Sequence, residues 1–172
     1  LARLEANRFR VELDETDPVE VLDHAFHAHE AEAASQGVDY ELQVAEMPII
    51  VTDPIRIRQI VGNLLENALR WTPPGGSVVL RAAVSDHGAF DITVSDTGPG
   101  VPDHMRETIF APFESAETPD GRVGSGLGLA ISRQLARALG GDLTVGDGEE
   151  GGAVFRLHLP RESVATGHTV AG

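Results

Sequence analysis

Along the chain, apolar positions follow two periods. Alternation with a period of two marks a half-buried strand, and recurrence at i, i+3, i+4 and i+7 marks an amphipathic helix. LARLEANR (1–8) has helical spacing and gives way to FRVEL (9–13), a short alternating strand. From Asp17 the helical period takes over. Asp17 is placed to cap, Pro18 suits the first helical position, Glu20 completes a capping box, and Gly37 stops the run. Two short strands follow, around YELQV (40–44) and IIVT (49–52). The cap-and-proline signal then repeats at Asp53 and Pro54 and opens a helix over 54–71, PIRIRQIVGNLLENALRW. Thr72 ends it, because Pro73 pushes the preceding residue out of the helical region. SVVLRAAVSD (77–86) and AFDITVSD (89–96) are strands joined through His87-Gly88.

Residues 97–125 break the pattern. They are rich in Gly, Pro, Asp, Thr and Ser around one apolar island, IFAPF (109–113), and predict a long functional loop or lid, about 101–125. A last helix is expected from about Gly126 to Leu139, stopped by Gly140 and Gly141. Strands DLTVG (142–146) and AVFRLHLP (153–160) close the domain, and 161–172 reads as a polar, disordered tail.

Composition narrows the possibilities. At 172 residues and 41% hydrophobic content, the chain is enough for one domain with a real core. The balance of 13 basic against 27 acidic residues, a formal net of −14, argues against nucleic acid as a partner. All the basic residues are Arg. Without Lys there is no Walker A loop and no eukaryotic-type protein kinase site, both of which depend on one. The absence of Cys removes disulfides and thiolate metal sites and fits a cytoplasmic setting. No apolar run approaches the roughly 20 residues of a membrane helix, and no signal peptide is recognisable. Because the chain starts at Leu1, it is expected to be a piece of a longer protein.

Three constellations carry chemistry. In the helix over 54–71, Ile57, Ile60, Val61, Leu64, Leu65 and Ala68 form the core-facing stripe, while Asn63, Asn67 and Arg70 share a flank about a third of a turn away. An amide oxygen is a neutral hard ligand for a divalent cation that keeps several waters, and Arg offers planar donors to phosphate; the same spacing also describes an ordinary solvated flank. Asp96 stands where ITVSD ends, before Gly98 and Gly100. A carboxylate there can accept from an exocyclic amine while the glycines admit a planar base, although an Asx turn has the same letters. Finally, GRVGSGLGLAISRQLA (121–136) puts four glycines into eight residues ahead of a helix. The spacing of Gly124, Gly126 and Gly128 is not that of a dinucleotide fold. It leaves either a hinge or a backbone whose N–H groups point at an anion, continued by the helix N-terminus.

Taken in order, the pieces resemble one known family. NLLENALRWTPPGG resembles the N box, VSDTGPGVP the first glycine box, IFAPF the F box and GSGLGLAI the second glycine box of the catalytic ATP-binding domain of bacterial sensor histidine kinases of two-component systems, in the superfamily shared with gyrase and the Hsp90 chaperones. The resemblance covers about 10–160. It implies an α/β, two-layer sandwich of the Bergerat, histidine-kinase-like ATPase type, with a mixed sheet of about five strands packed against three helices. Residues 1–8 would be the end of an upstream dimerisation helix and 9–160 the catalytic domain.

Carried over residue by residue, the resemblance implies ATP and Mg²⁺ as cofactors. Asn67 would hold the metal, Asn63 would support the phosphate and metal shell, and Arg70 would contact phosphate. Trp71 would edge the nucleotide. Asp96 would read the adenine amine with Gly98 and Gly100 beside the base. Phe110 and Phe113 would anchor the lid, Arg122 would contact phosphate, and Gly124, Ser125, Gly126, Leu127 and Gly128 would line the triphosphate. Hydrolysing members resemble gyrase in carrying a Glu one turn before the metal Asn. That place holds Asn63, and Glu66 should point about 100° away from Asn67, so transfer is favoured over hydrolysis. His29-Glu30 lacks the context of a phosphoacceptor. The implied partners are therefore a phosphoacceptor and dimerisation domain of the same kinase and a downstream response regulator, with the isolated piece monomeric and the parent either cytoplasmic or anchored at the inner membrane. The alternatives are a nucleotide-binding module without turnover and an anti-sigma-type serine kinase of the same fold.

Overall fold

A computed structural model describes residues 10–85, 87–114, 121 and 124–162. Strands β1 (Asp14–Thr16), β2 (Asp39–Val44), β3 (Ile50–Thr52), β4 (Ser77–Val84), β5 (Phe90–Asp96), β6 (Asp142–Asp147) and β7 (Ala153–Leu159) alternate with helices α1 (Pro18–His27), α2 (Glu30–Gln36), α3 (Pro54–Trp71) and α4 (Gly128–Ala138). Five strands form one sheet in the order β2-β4-β5-β7-β6. Only the β2-β4 pair is parallel, so the sheet is mixed. β1 and β3 make a separate two-stranded antiparallel ladder.

The period-2 pattern places one face of the sheet under the helices. Val78 and Leu80 of β4, Ile92 and Val94 of β5, and Phe155 and Leu157 of β7 are all at most 2% exposed. Against them lies α3, whose Ile57, Ile60, Val61, Leu64, Leu65, Ala68 and Leu69 are buried to the same degree. Each large apolar side chain removed from water contributes roughly 1.5–3 kcal/mol, and truncating one, as in Leu64→Ala, costs roughly 2–5 kcal/mol. The helix is fixed at both ends. The Asp53 Oδ1 accepts from the N–H groups of Ile55 and Arg56 at 3.0 and 3.1 Å, and the Thr72 hydroxyl donates to the Ala68 carbonyl at 2.7 Å.

Two expectations shift. The strand expected at 9–13 forms instead at Asp14–Thr16 and pairs with β3. Residues 10–12 are held by side chains of the first turn of α3, because Glu12 donates its N–H to Asp53 Oδ2 at 2.9 Å and Arg56 donates to the Arg10 carbonyl at 3.1 Å. The single helix expected from Pro18 to Gly37 is two, so four α-helices rather than three occur among the described residues. The apolar stripe of Pro18, Val21, Leu22, Ala25 and Phe26 would next need apolar residues at 29 and 32, and the sequence supplies His29 and Glu32. The chain turns there, Phe26 stacks on Tyr40 at 4.1 Å, and Ala33 alone of α2 is buried. Asp17 caps α1 through the Val19 N–H at 2.9 Å, but the Glu20 half of the capping box does not form. The segments 1–8 and 163–172 lie outside the described residues, as does most of the lid's second half.

Candidate functional site

A cleft of about 530 Å³ opens between α3, the end of β5, the segment after it and the start of α4. Asn63, Asn67, Arg70, Trp71, Asp96, Gly100, Gly124, Ser125, Gly126 and Gly128 all line it. The three constellations thus meet at one place, which no local reading of any single motif supplies.

From α3 come two amides and a guanidinium. The Asn63 Nδ2 donates to the Ser132 hydroxyl at 3.0 Å and to the Gly128 carbonyl at 3.4 Å, tying α3 to α4. The Asn67 side chain is half-buried, lines the cleft and makes no hydrogen bond to a described residue. Arg70 donates to Glu66 Oε1 at 2.9 Å, and its guanidinium presses on Gly124, where a Cβ would overlap Nη1. Glu66, adjacent to Asn67 in sequence, also lines the cleft. Its carboxylate is engaged by Arg70.

From the sheet comes Asp96, the last residue of β5, only 5% exposed. Its Oδ1 accepts from the N–H of Gly98 at 2.9 Å and of Ala153 at 3.3 Å, while Oδ2 has no partner among the described residues. Burial pushes its pKa above the usual carboxylate value, and the two amides oppose that rise. Gly98 therefore serves the carboxylate and does not itself line the cleft; Gly100 does.

From the loop comes bare backbone. Gly126 has φ +69°, and its carbonyl accepts from the Phe113 N–H at 2.8 Å; a Cβ there would stand 2.7 Å from the Phe113 carbonyl carbon. Leu127, which precedes α4, does not line the cleft, and no side chain among the described residues caps that helix. The first N–H groups of α4 are thus left for an acceptor arriving from the cleft, where the macrodipole favours negative charge. Val101, Met105, Ile109, Leu129 and Phe155 add apolar wall.

The two phenylalanines part company. Phe110 is buried, meets Phe155 edge-on at 6.4 Å and carries the Arg133 guanidinium over its ring at 4.7 Å. Phe113 is 78% exposed, and its main-chain N–H donates to the Gly126 carbonyl. Arg122 lies outside the described residues.

The residues fit a magnesium-bound polyphosphate. No group of three or more His, Cys, Asp or Glu capable of holding a metal occurs among the described residues. A neutral amide oxygen beside an uncapped helix start suits Mg²⁺ that arrives on phosphates and retains its water. The sequence reading missed Gly152, Ala153, Ser132 and Arg133. The first two were signalled by the doubled glycine ahead of AVFRLHLP, since a Cβ on Gly152, at φ +75°, would overlap the Asp96 carbonyl oxygen. Arg133 binds Asp142 at 3.1 Å and Glu107 at 2.8 Å, contacts that only the tertiary fold reveals.

Comparison with known proteins agrees with this geometry. Residues 52–163 match the family described as "Histidine kinase-, DNA gyrase B-, and HSP90-like ATPase". Sensor protein CreC of Escherichia coli K12 is 34% identical over 160 residues, 93% of this chain and 33% of CreC. Adaptive-response sensory kinase SasA of a Nostoc species is 36% identical over 115 residues, 67% of this chain and 29% of SasA. The chain spans about a third of the length of these curated relatives. Among solved structures, full-length ShkA in complex with AMPPNP is similar over 95% of this chain and 34% of its own, with a TM-score of 0.79 and 35% identity. The mycobacterial sensor histidine kinase MprB is similar over 90% of this chain and 100% of its own, with a TM-score of 0.74 and 30% identity.

Proposed function

Since the chain belongs to the histidine kinase-, DNA gyrase B- and HSP90-like ATPase family, we propose that it is the catalytic ATP-binding domain of a sensor histidine kinase, transferring the γ-phosphoryl group of ATP to a His on a separate dimerisation domain. The observation that carries this reading is the convergence of Asn67, Asp96 and the loop residues Gly124, Ser125, Gly126 and Gly128 on one cleft. A relative solved with AMPPNP supports the ligand class.

In this reading Asp96 Oδ2 accepts from the adenine amine, and Asn67 would hold Mg²⁺ with Asn63 supporting the shell. A metal held there would supply positive charge against the phosphate oxygens. Arg70 exchanges part of its contact with Glu66 for phosphate, and the first amides of α4 take up negative charge beside it. No carboxylate stands one turn before Asn67 to activate water, and Glu66 is held by Arg70. The site therefore keeps ATP for an incoming imidazole nitrogen, on which the new N–P bond forms as the bond from phosphorus to the ADP oxygen breaks. Residues 9–160 make up the domain, and a response regulator receives the phosphoryl group next. Among the described residues no helix is long and apolar enough to cross a membrane.

The test is to incubate the chain with a histidine-kinase hairpin domain of matching type and γ-labelled ATP. Label that appears on the hairpin and is lost in acid supports phosphohistidine. Acid-stable label points to a hydroxyl acceptor, and tight ATP binding without label on any partner contradicts transfer.

A further inference from the structure

We propose that Ser132 is a positioning residue for the nucleotide site: its hydroxyl, together with the Gly128 carbonyl that sets the direction, holds the Asn63 carboxamide with Oδ1, and not Nδ2, facing the cleft. Ser132 is fully buried, at 0% exposed, on the side of α4 that packs against α3. A hydroxyl in such a place is costly unless it is partnered, and its described partner is the Asn63 amide nitrogen at 3.0 Å. The direction of that bond is set by a second contact. The Gly128 carbonyl, 3.4 Å from the same Asn63 atom, can only accept, so the atom facing it must carry hydrogen. Were the carboxamide turned over, two lone-pair-bearing oxygens would oppose each other there. With Nδ2 committed to α4, Oδ1 remains for the cleft that Asn63 lines. An oxygen so placed accepts from metal-bound water or approaches the metal, whereas an NH₂ group would repel it.

This inference rests on the proposed reading of the cleft as a Mg-nucleotide site, and the experiment separates the two. Binding of AMPPNP is titrated calorimetrically across Mg²⁺ concentrations and again with chelator, for the natural chain and for Ser132→Ala. The natural chain is expected to bind more tightly as Mg²⁺ is added. In Ser132→Ala the Mg²⁺ concentration at half-effect rises roughly 3- to 10-fold, the span that one neutral hydrogen bond covers, while affinity in chelator stays the same. Ser132→Cys, close in size and a poorer acceptor, falls between them. The Asn63 side-chain NH₂ resonances provide a second readout: they exchange slowly with solvent in the natural chain and faster in Ser132→Ala. An unchanged Mg²⁺ dependence, or equal weakening with and without Mg²⁺, overturns the positioning role. A natural chain whose affinity ignores Mg²⁺ altogether overturns the reading of the cleft, and the inference with it.

Discussion

Ala153 donates its main-chain N–H to Oδ1 of Asp96 across 3.3 Å, joining the first residue of β7 to the last of β5 at the rim of the cleft. With the Gly98 amide, it holds a buried carboxylate that has no cation beside it among the described residues. One oxygen is spent on the main chain of Gly98 and Ala153, and the other has no partner among the described residues. Asp96→Asn keeps an oxygen for those amides but offers an amide nitrogen toward the cleft. The preference for adenine over guanine nucleotides is expected to fall at least roughly tenfold, since a donor now stands where only an acceptor stood. Titration with ATP and GTP checks it.

The same residue sets a pH dependence. Burial raises the Asp96 pKa, so the folded chain holds that proton more tightly than the unfolded one. Stability contributed by Asp96 therefore falls as pH rises from the unfolded carboxylate range through the raised folded value. ATP affinity changes in the opposite sense, growing as Oδ2 loses its proton. Thermal melts across this window should show a step in the natural chain that Asp96→Asn lacks, and above it the variant should be more stable by roughly 0.5–2 kcal/mol.

Asn67→Ala should abolish Mg-dependent ATP binding and leave the fold intact. Its carboxamide makes no hydrogen bond to a described residue, so the cost in unfolding free energy is expected to stay within about 0.5 kcal/mol. Denaturant unfolding together with Mg-ATP titration separates the two effects.

The two lid phenylalanines should behave differently. Phe110→Ala removes a buried ring from between Phe155 and Arg133 and should cost roughly 3–5 kcal/mol. Phe113→Ala removes an exposed ring and should change stability by less than about 0.5 kcal/mol. Paired unfolding curves decide the matter.

Gly152→Ala should damage the site from behind. A left-handed backbone costs a residue with a Cβ roughly 1–3 kcal/mol, and the overlap with the Asp96 carbonyl adds to it. Lower stability and weaker ATP affinity are expected together.

Most of this architecture could be read from the letters because local rules and the tertiary fold agree. Asp53-Pro54 caps α3 as its sequence signals, and its seven core residues follow the helical period that burial then requires. The break at His29 was hidden because cap, proline and terminal glycine all suit a single long helix; the failing stripe at His29 and Glu32 was the only warning. Within the site, residues that present their own chemistry to the cleft, such as Asn67 and Asp96, stand out by type and spacing. Residues that act by holding others, such as Ala153 on Asp96 or Arg133 on Phe110, do so through contacts between segments far apart in the chain. Phe113 differs again: its ring is exposed, and the tie to Gly126 runs through its main chain, which a residue letter does not disclose.

The most direct measurement is a crystal structure of the chain grown with Mg²⁺ and AMPPNP. The expected result is the adenine amine on Asp96 Oδ2, the metal about 2.1 Å from Asn67 Oδ1, and phosphate oxygens against the first amides of α4 beside Arg70. A nucleotide bound elsewhere, or one in this cleft whose base lies away from Asp96 and whose metal lies away from Asn67, would contradict it.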